Sequence, residues 1–227
     1  MEIFEEPLEE DPKEADSTQM LSKIIKLGID GFGPLSSAKQ LGDEYIADPN
    51  YTSKLERIEA ISRWEERKNF TTGFVTGLGG FISLPLAIPG SLAMNWILQT
   101  RMVAAMAYVG GFNIDEAPVR SIIGLSLLGE SGKTVLNANL ADLHNLPQKS
   151  LFGLPKRTLL VLNRSVATRL MHLAAQKGLT RLSKAIPIVG GILGGALDYQ
   201  SCKETSKFAM ELFQFNRSTG KDAHTAV

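Results

Sequence analysis

A chain of 227 residues is long enough for one large domain or two small ones, with ample material for a core. Its hydrophobic fraction of 44% and charged fraction of 21% are those of a globular protein. The single cysteine, Cys202, excludes an intrachain disulfide and most cysteine-based metal sites. A formal net charge of zero conceals a strong asymmetry. Residues 1–16 hold eight acids and one base, Lys13, whereas no acid occurs between Asp142 and Asp198, an interval with eight bases. Such a basic block suggests an anionic partner, and an acidic tail on the same chain would shield it.

In chain order, residues 1–18 are acidic, contain Pro7 and Pro12, and read as a disordered tail. That acidic start is the opposite of a secretory leader, so a cytoplasmic setting is expected. A short amphipathic helix is predicted over 19–31, with Met20, Ile24 and Leu27 inward and Gly28 and Gly31 as stop signals. GFGP (31–34) and Asp48-Pro49-Asn50 read as turns. A helix from about Tyr51 to Asn69 follows, capped by Thr52 or Ser53, with Leu55, Ile58 and Ile61 at helical spacing.

The stretch from Asn69 to Thr100 then runs for 32 residues without a charge. Pro85 and Pro89 divide it. The first part, Phe70–Leu84, would reach roughly 22 Å as a helix, short of the roughly 30 Å of a bilayer core. The second part predicts a helix from near Ser91 to about Val109, ended by Gly110-Gly111, and its Asn95, Gln99 and Arg101 suit lipid poorly. The expected arrangement is a helical hairpin rather than a full crossing.

Asp115-Glu116-Ala117-Pro118 opens a further helix that ends at Gly129. Residues 146–155 read as a loop, and a helix from Lys156 to Lys177 is expected to end at Gly178. AIPIVGGILGGALDY (185–199) repeats the proline-then-paired-glycine pattern of the hairpin; Gly190, Gly191, Gly194 and Gly195 make a small-residue face for close helix packing. A last helix, 203–215, places Phe208, Leu212 and Phe215 on one face. Nothing reads as a strand, so the expected class is all-α, with the helical domain at 19–216 and a polar tail at 217–227.

Several of these stretches together resemble the EcsC family, a bacterial family named after a gene beside an ABC exporter. The matching residues are GFVTGLGGFISLP (73–85), IPGSLAMNWILQTRMVAAMAYVGGF (88–112), LNRSVATRL (162–170), QKGLTRLSKAIPIVGGILGGALD (176–198) and KFAMELF (207–213). The resemblance covers roughly residues 40–215. It departs after Asp198, where YQSCKETS stands in place of a segment with Thr and Gly. The same pattern is more loosely similar to helical domains appended to some membrane-associated GTPases. What the resemblance implies is an all-α, membrane-associated protein; it brings no reaction with it.

Candidate chemistry is sparse. Gly129-Glu-Ser-Gly-Lys133-Thr134 imitates a phosphate-binding loop, but Leu127 stands where its first glycine belongs and helix precedes it where a strand is required. His144 and His172 belong to no metal-ligand or nucleophile pattern, so neither an enzyme, a cofactor nor a metal is expected. Arg101 and Asp198 are charges beside long apolar stretches and are costly unless paired. They are expected to meet, or to pair with Gln99, Asn163 or Arg164, as a buried polar clamp or as a ligand contact. Arg157 and Arg164, at i and i+7, and the stripe Lys177, Arg181 and Lys184 are the expected contacts to anionic lipid. Nucleic acid is disfavoured by the few aromatics in the block and by a pI of 6.8. The functional expectation is a non-enzymatic helical protein on the inner face of the cytoplasmic membrane, accessory to a transporter or envelope process, with a membrane protein as partner. The alternative is a soluble carrier that holds a hydrophobic ligand in a glycine-lined core.

Overall fold

The computed structural model describes residues 12–68, 90–139, 148–182 and 187–215, with side chains described except at 13–14, 64–68, 91, 148–150, 177–182 and 187–198. These residues form eight α-helices: α1 (Pro12–Asp30), α2 (Ala38–Ala47), α3 (Lys54–Lys68), α4 (Gly90–Val109), α5 (Ala117–Ser126), α6 (Ser131–Asn139), α7 (Lys156–Leu182) and α8 (Pro187–Leu212). A 3-10 turn, Gln148–Gly153, precedes α7. No strand occurs among the described residues beyond an isolated bridge, Phe32 to Leu35, which closes the GFGP turn. The class is all-α, as the residue pattern predicts.

Helix α4 is the axis. Every residue from Leu92 to Ala107 is buried, so no face of this helix meets water. A helix apolar all round has that fate in a folded domain. It packs against α1, α2, α3, α5 and α8. Leu92, Met94, Ile97, Met102 and Met106 are fully buried, each contributing about 1.5–3 kcal/mol of apolar transfer. The sequence-derived bounds for this helix hold, and so does its stop. Gly111 takes φ +91, its N–H donates to Tyr108 O at 2.9 Å, and Phe112 N–H donates to Ala107 O at 3.0 Å. These two bonds are the Schellman closure, and a side chain at Gly111 would strain it. The first arm of the expected hairpin, with Pro85 and Pro89, lies outside the described residues.

The first helix departs from expectation at both ends. It starts at Pro12, whose fixed φ suits a first helical position, so residues 12–18 are helical rather than part of a disordered tail. It also runs through Gly28. That glycine is not a stop but a crossing point. A methyl there would fall 2.5 Å from Thr100 Cβ and 2.8 Å from Ile97 O of α4. Gly42 does the same for α2, where a methyl would lie 2.5 Å from Tyr108 Cδ1.

Two helices have no counterpart in the sequence reading. Helix α2 is started by a capping box: Ser37 Oγ accepts from Gln40 N–H at 3.1 Å and Gln40 Oε1 accepts from Ser37 N–H at 2.9 Å. Helix α6 fills residues left unassigned after Gly129. Helix α3 has the expected cap, since Ser53 Oγ accepts from Glu56 N–H while the Glu56 carboxylate accepts from Thr52 Oγ1, Thr52 N–H and Ser53 N–H.

Two expected helix boundaries are absent. Gly178 lies inside α7, which continues to Leu182, and the segments expected at 185–199 and 203–215 are one helix, α8. An interior glycine costs a helix only about 1 kcal/mol, so Gly178 does not by itself end α7. Phe208, Leu212 and Phe215 are buried as expected. Phe213 joins Phe112, Phe152 and Phe215 in a ring cluster, with centroid distances from Phe112 to Phe152 and Phe213 of 4.8 and 5.0 Å. That cluster ties the end of α8 to the end of α4.

Substituting Gly28→Ala is expected to destabilise the fold by about 2 kcal/mol in urea unfolding, because the methyl meets Thr100 Cβ, fixed by its own backbone, and the Ile97 carbonyl, neither of which is a yielding side-chain tip. Glu56 has its carboxyl held below the usual range, first by the Thr52 hydroxyl and then by the Thr52 and Ser53 N–H groups. A depressed carboxyl stabilises above its ordinary value of 4.5 and loses that contribution as pH falls through the folded value. Glu56→Gln is therefore expected to lower Tm at neutral pH and to flatten the loss of Tm below about pH 4.5, as read by thermal melts across pH.

Candidate functional site

The polar groups that α4 carries into the core define the most unusual chemistry in the fold. Gln99 is fully buried and faces α8. Its amide nitrogen donates to Asn95 Oδ1 at 3.1 Å and to Ser201 Oγ at 3.3 Å, and its Oε1 accepts from Thr205 Oγ1 at 2.8 Å. Ser201 and Thr205 are four apart on α8, so both bracket Gln99 from one face, while Asn95 supports its amide from one turn back on α4. Between Ser201 and Thr205 in the chain, Cys202 Sγ lies 3.7 Å from Met102 Sδ, fully buried. Both amide N–H groups of Gln99 and its carbonyl are engaged, which makes this a helix clamp.

Arg101 faces the opposite way. It is 7% exposed, and its Nε donates to Ser36 O at 2.7 Å while a terminal nitrogen donates to Ser36 Oγ at 2.6 Å. The guanidinium thus braces the connection between α1 and α2 against α4. Serine 36 is absent from the expected partners because nothing in residue spacing links positions 65 apart. Of the four clamp residues singled out in the sequence, Gln99 and Arg101 are buried on α4 but serve separate contacts. Asn163 stands on α7, half-buried, with its Oδ1 shielded and no hydrogen-bond partner among the described residues. The side chain of Asp198 lies outside the described residues. The polar partners that the sequence reading missed, Ser201 and Thr205, belong to the YQSCKETS segment, whose small hydroxyls at i and i+4 were the available signal.

The apparent phosphate loop has a structural explanation residue by residue. Gly129 takes φ +52 in the turn between α5 and α6, a conformation that favours glycine. Gly132 lies against Phe208, where a methyl would fall 2.3 Å from Cε1. Lys133 pairs with Glu211 at 3.1 Å and Glu130 at 3.4 Å, and Glu211 first and Glu130 next push its pKa up. No strand precedes the loop.

A shallow groove of about 510 Å³ opens where α1, α2 and the turn after α4 meet, lined in part by Ile29, Lys39, Tyr108, Phe112 and Asp115. At its edge Lys39 bonds Asp43 at 2.7 Å and lies 4.9 Å above the Tyr108 ring, while Tyr108 OH donates to Asp43 at 2.7 Å. Hydrogen bonds from Lys39 first and Tyr108 next hold the Asp43 carboxyl below its usual range. Each charge is neutralised by a neighbour, so the trio pins α2 to α4. Among the described residues no three His, Cys, Asp or Glu side chains converge on a metal position. His172 is exposed on α7, and His144 lies outside the described residues.

The basic block divides. Arg157 is exposed near the start of α7, and Arg164, one face-repeat on, is half-buried and engaged within the fold. Lys177 and Arg181 are on the last turns of α7 with side chains outside the described residues, and Lys184 lies outside them altogether. Gly190, Gly191, Gly194 and Gly195 are within α8, but the neighbours of this part of the helix lie outside the described residues. Between Arg157 and Arg164, at i+3 and i+4, stand Leu160 and Val161, exposed by 62% and 41%. Among the described residues no helix is long and apolar enough to cross a membrane.

Truncating the clamp on one side strands its partner. Gln99→Leu is expected to cost about 2–4 kcal/mol in urea unfolding, since the buried Thr205 hydroxyl and the buried Asn95 amide oxygen lose their bonds to it. Combining it with Thr205→Val is expected to cost clearly less than the two single changes added together, because their partners disappear as a unit.

Neither the curated proteins nor the solved structures yield a match. The model of the EcsC protein family matches residues 18–217, from early in α1 to just beyond α8, and includes the α4–α8 clamp, the Arg101 brace and the whole of α7. The chain belongs to the EcsC protein family.

Proposed function

We propose that this protein is a non-enzymatic, membrane-peripheral helical domain that docks on anionic lipid at the cytoplasmic leaflet through the outer face of α7. There it serves as an accessory to a transporter or another membrane process. The observation that carries this reading is the pair Leu160 and Val161, exposed by 62% and 41% and flanked at helical spacing by Arg157 and Arg164. The opposite face of α7, Leu159, Leu162, Val166 and Leu170, is buried in the core. An apolar centre with basic flanks is the residue grammar of helices that lie in a headgroup region. It falls in the stretch without acids, and each base near an anionic surface adds about 1 kcal/mol.

Vesicle flotation tests the reading. Binding to phosphatidylglycerol-containing vesicles, absent for phosphatidylcholine alone and lost at about 1 M salt, where screening acts within about 3 Å, is the expected result. The double change Leu160→Ser with Val161→Ser, both exposed and therefore compatible with the fold, is expected to weaken binding by about tenfold. Equal binding by the variant and the parent overturns the assignment to α7. A chain that never floats yet purifies with bound lipid supports the carrier instead.

A further inference from the structure

We infer that residues 1–11 occupy the outer face of α7 in the absence of membrane, so that the chain carries its own competitor for the docking surface. This rests on the docking reading above and adds its regulation. The segment MEIFEEPLEED holds six acids, Glu2, Glu5, Glu6, Glu9, Glu10 and Asp11, and no base. It also holds Ile3, Phe4 and Leu8 between them. The α7 face offers the complement of both features, with Arg157 exposed, Lys156 exposed beside it, and Leu160 and Val161 uncovered between basic residues.

Placement favours the contact. Helix α1 begins at Pro12 and packs along α7, so the acidic segment joins the fold on the helix next to its target. Eleven residues reach up to about 36 Å when extended. The 27 residues of α7 span about 40 Å, so most of its outer face is within the tether's range. Exposed ion pairs are individually weak, but a tethered segment acts at millimolar effective concentration and needs little affinity. An anionic membrane offers the same bases many headgroups at once and displaces the segment. A neutral surface supplies no such competition.

The test compares three full-fold proteins on phosphatidylglycerol vesicles: the parent, a deletion of residues 2–11, and a variant with Glu2, Glu5, Glu6, Glu9 and Glu10 changed to Gln and Asp11→Asn. Both altered chains are expected to bind about fivefold more tightly at low salt, as the loss of two or three surface ion pairs implies. Equal affinity for all three overturns the inference and leaves docking intact, whereas failure of all three to bind at low salt removes the docking reading as well. A second measurement needs no membrane. A nitroxide on Glu6→Cys, with Cys202 protected by full burial, is expected to broaden the amide signals of residues 157–164. Signals that stay sharp there overturn the inference, because a segment that only repels the membrane from a distance leaves α7 untouched.

Discussion

Helix α4 has no face on water, and the arrangement of the other helices follows from that. A helix surrounded by protein must have its polar atoms answered from within or leave them unpaired at a cost, as Thr100 Oγ1 is here. Gln99 is answered by Ser201 and Thr205 on α8 and by Asn95 one turn back on α4, and Arg101 by Ser36. These bonds fix which turn of α8 meets which turn of α4 and where the α1–α2 connection sits. A purely apolar α4 could slide along its neighbours at small cost. Two hydrogen-bonded sites of opposite direction remove that freedom, since a slip of one turn would leave buried donors without acceptors.

Close approach provides the rest of the specification. Gly28 and Gly42 let α1 and α2 lie against α4 with Thr100 and Tyr108 filling the space that a side chain would have taken. Gly132 does the same for α6 against Phe208. Short polar residues and glycines that look like phosphate-loop chemistry in one dimension are packing devices in three. The conserved requirement of such a loop, a strand leading into a ring of free N–H groups, is replaced here by a turn between two helices.

The shell outside α4 is where interaction chemistry remains. Helix α7 turns one face to the core and the other outward with two uncovered apolar residues among bases. The amide of Gln99 and the guanidinium of Arg101 are engaged within the core, whereas the buried Thr100 Oγ1 has no hydrogen-bond partner among the described residues. In the proposed docking, the outward face of α7 is the surface, and the acids at the start of the chain are the charge that competes for it.

Much was legible in the sequence. The absence of period-two patterning gave the all-α class. The 32 uncharged residues with Asn95 and Gln99 in their second half and Arg101 just beyond them marked a helix from near Ser91 to Val109 that suits lipid poorly. Gly110-Gly111 marked its end, and Ser53 with Glu56 a helix start. These are local matters, set by propensity, caps and periodicity within a turn or two. What only the tertiary structure decided was which residues answer one another. Ser36 meets Arg101 and Thr205 meets Gln99 across separations of 65 and 106 positions, which no spacing rule spans. Gly28 and Gly178 read as stops because an isolated helix loses stability at glycine. Within the fold, Gly28 is where α1 crosses α4 at close range, and α7 runs on through Gly178 to Leu182 at that small local loss.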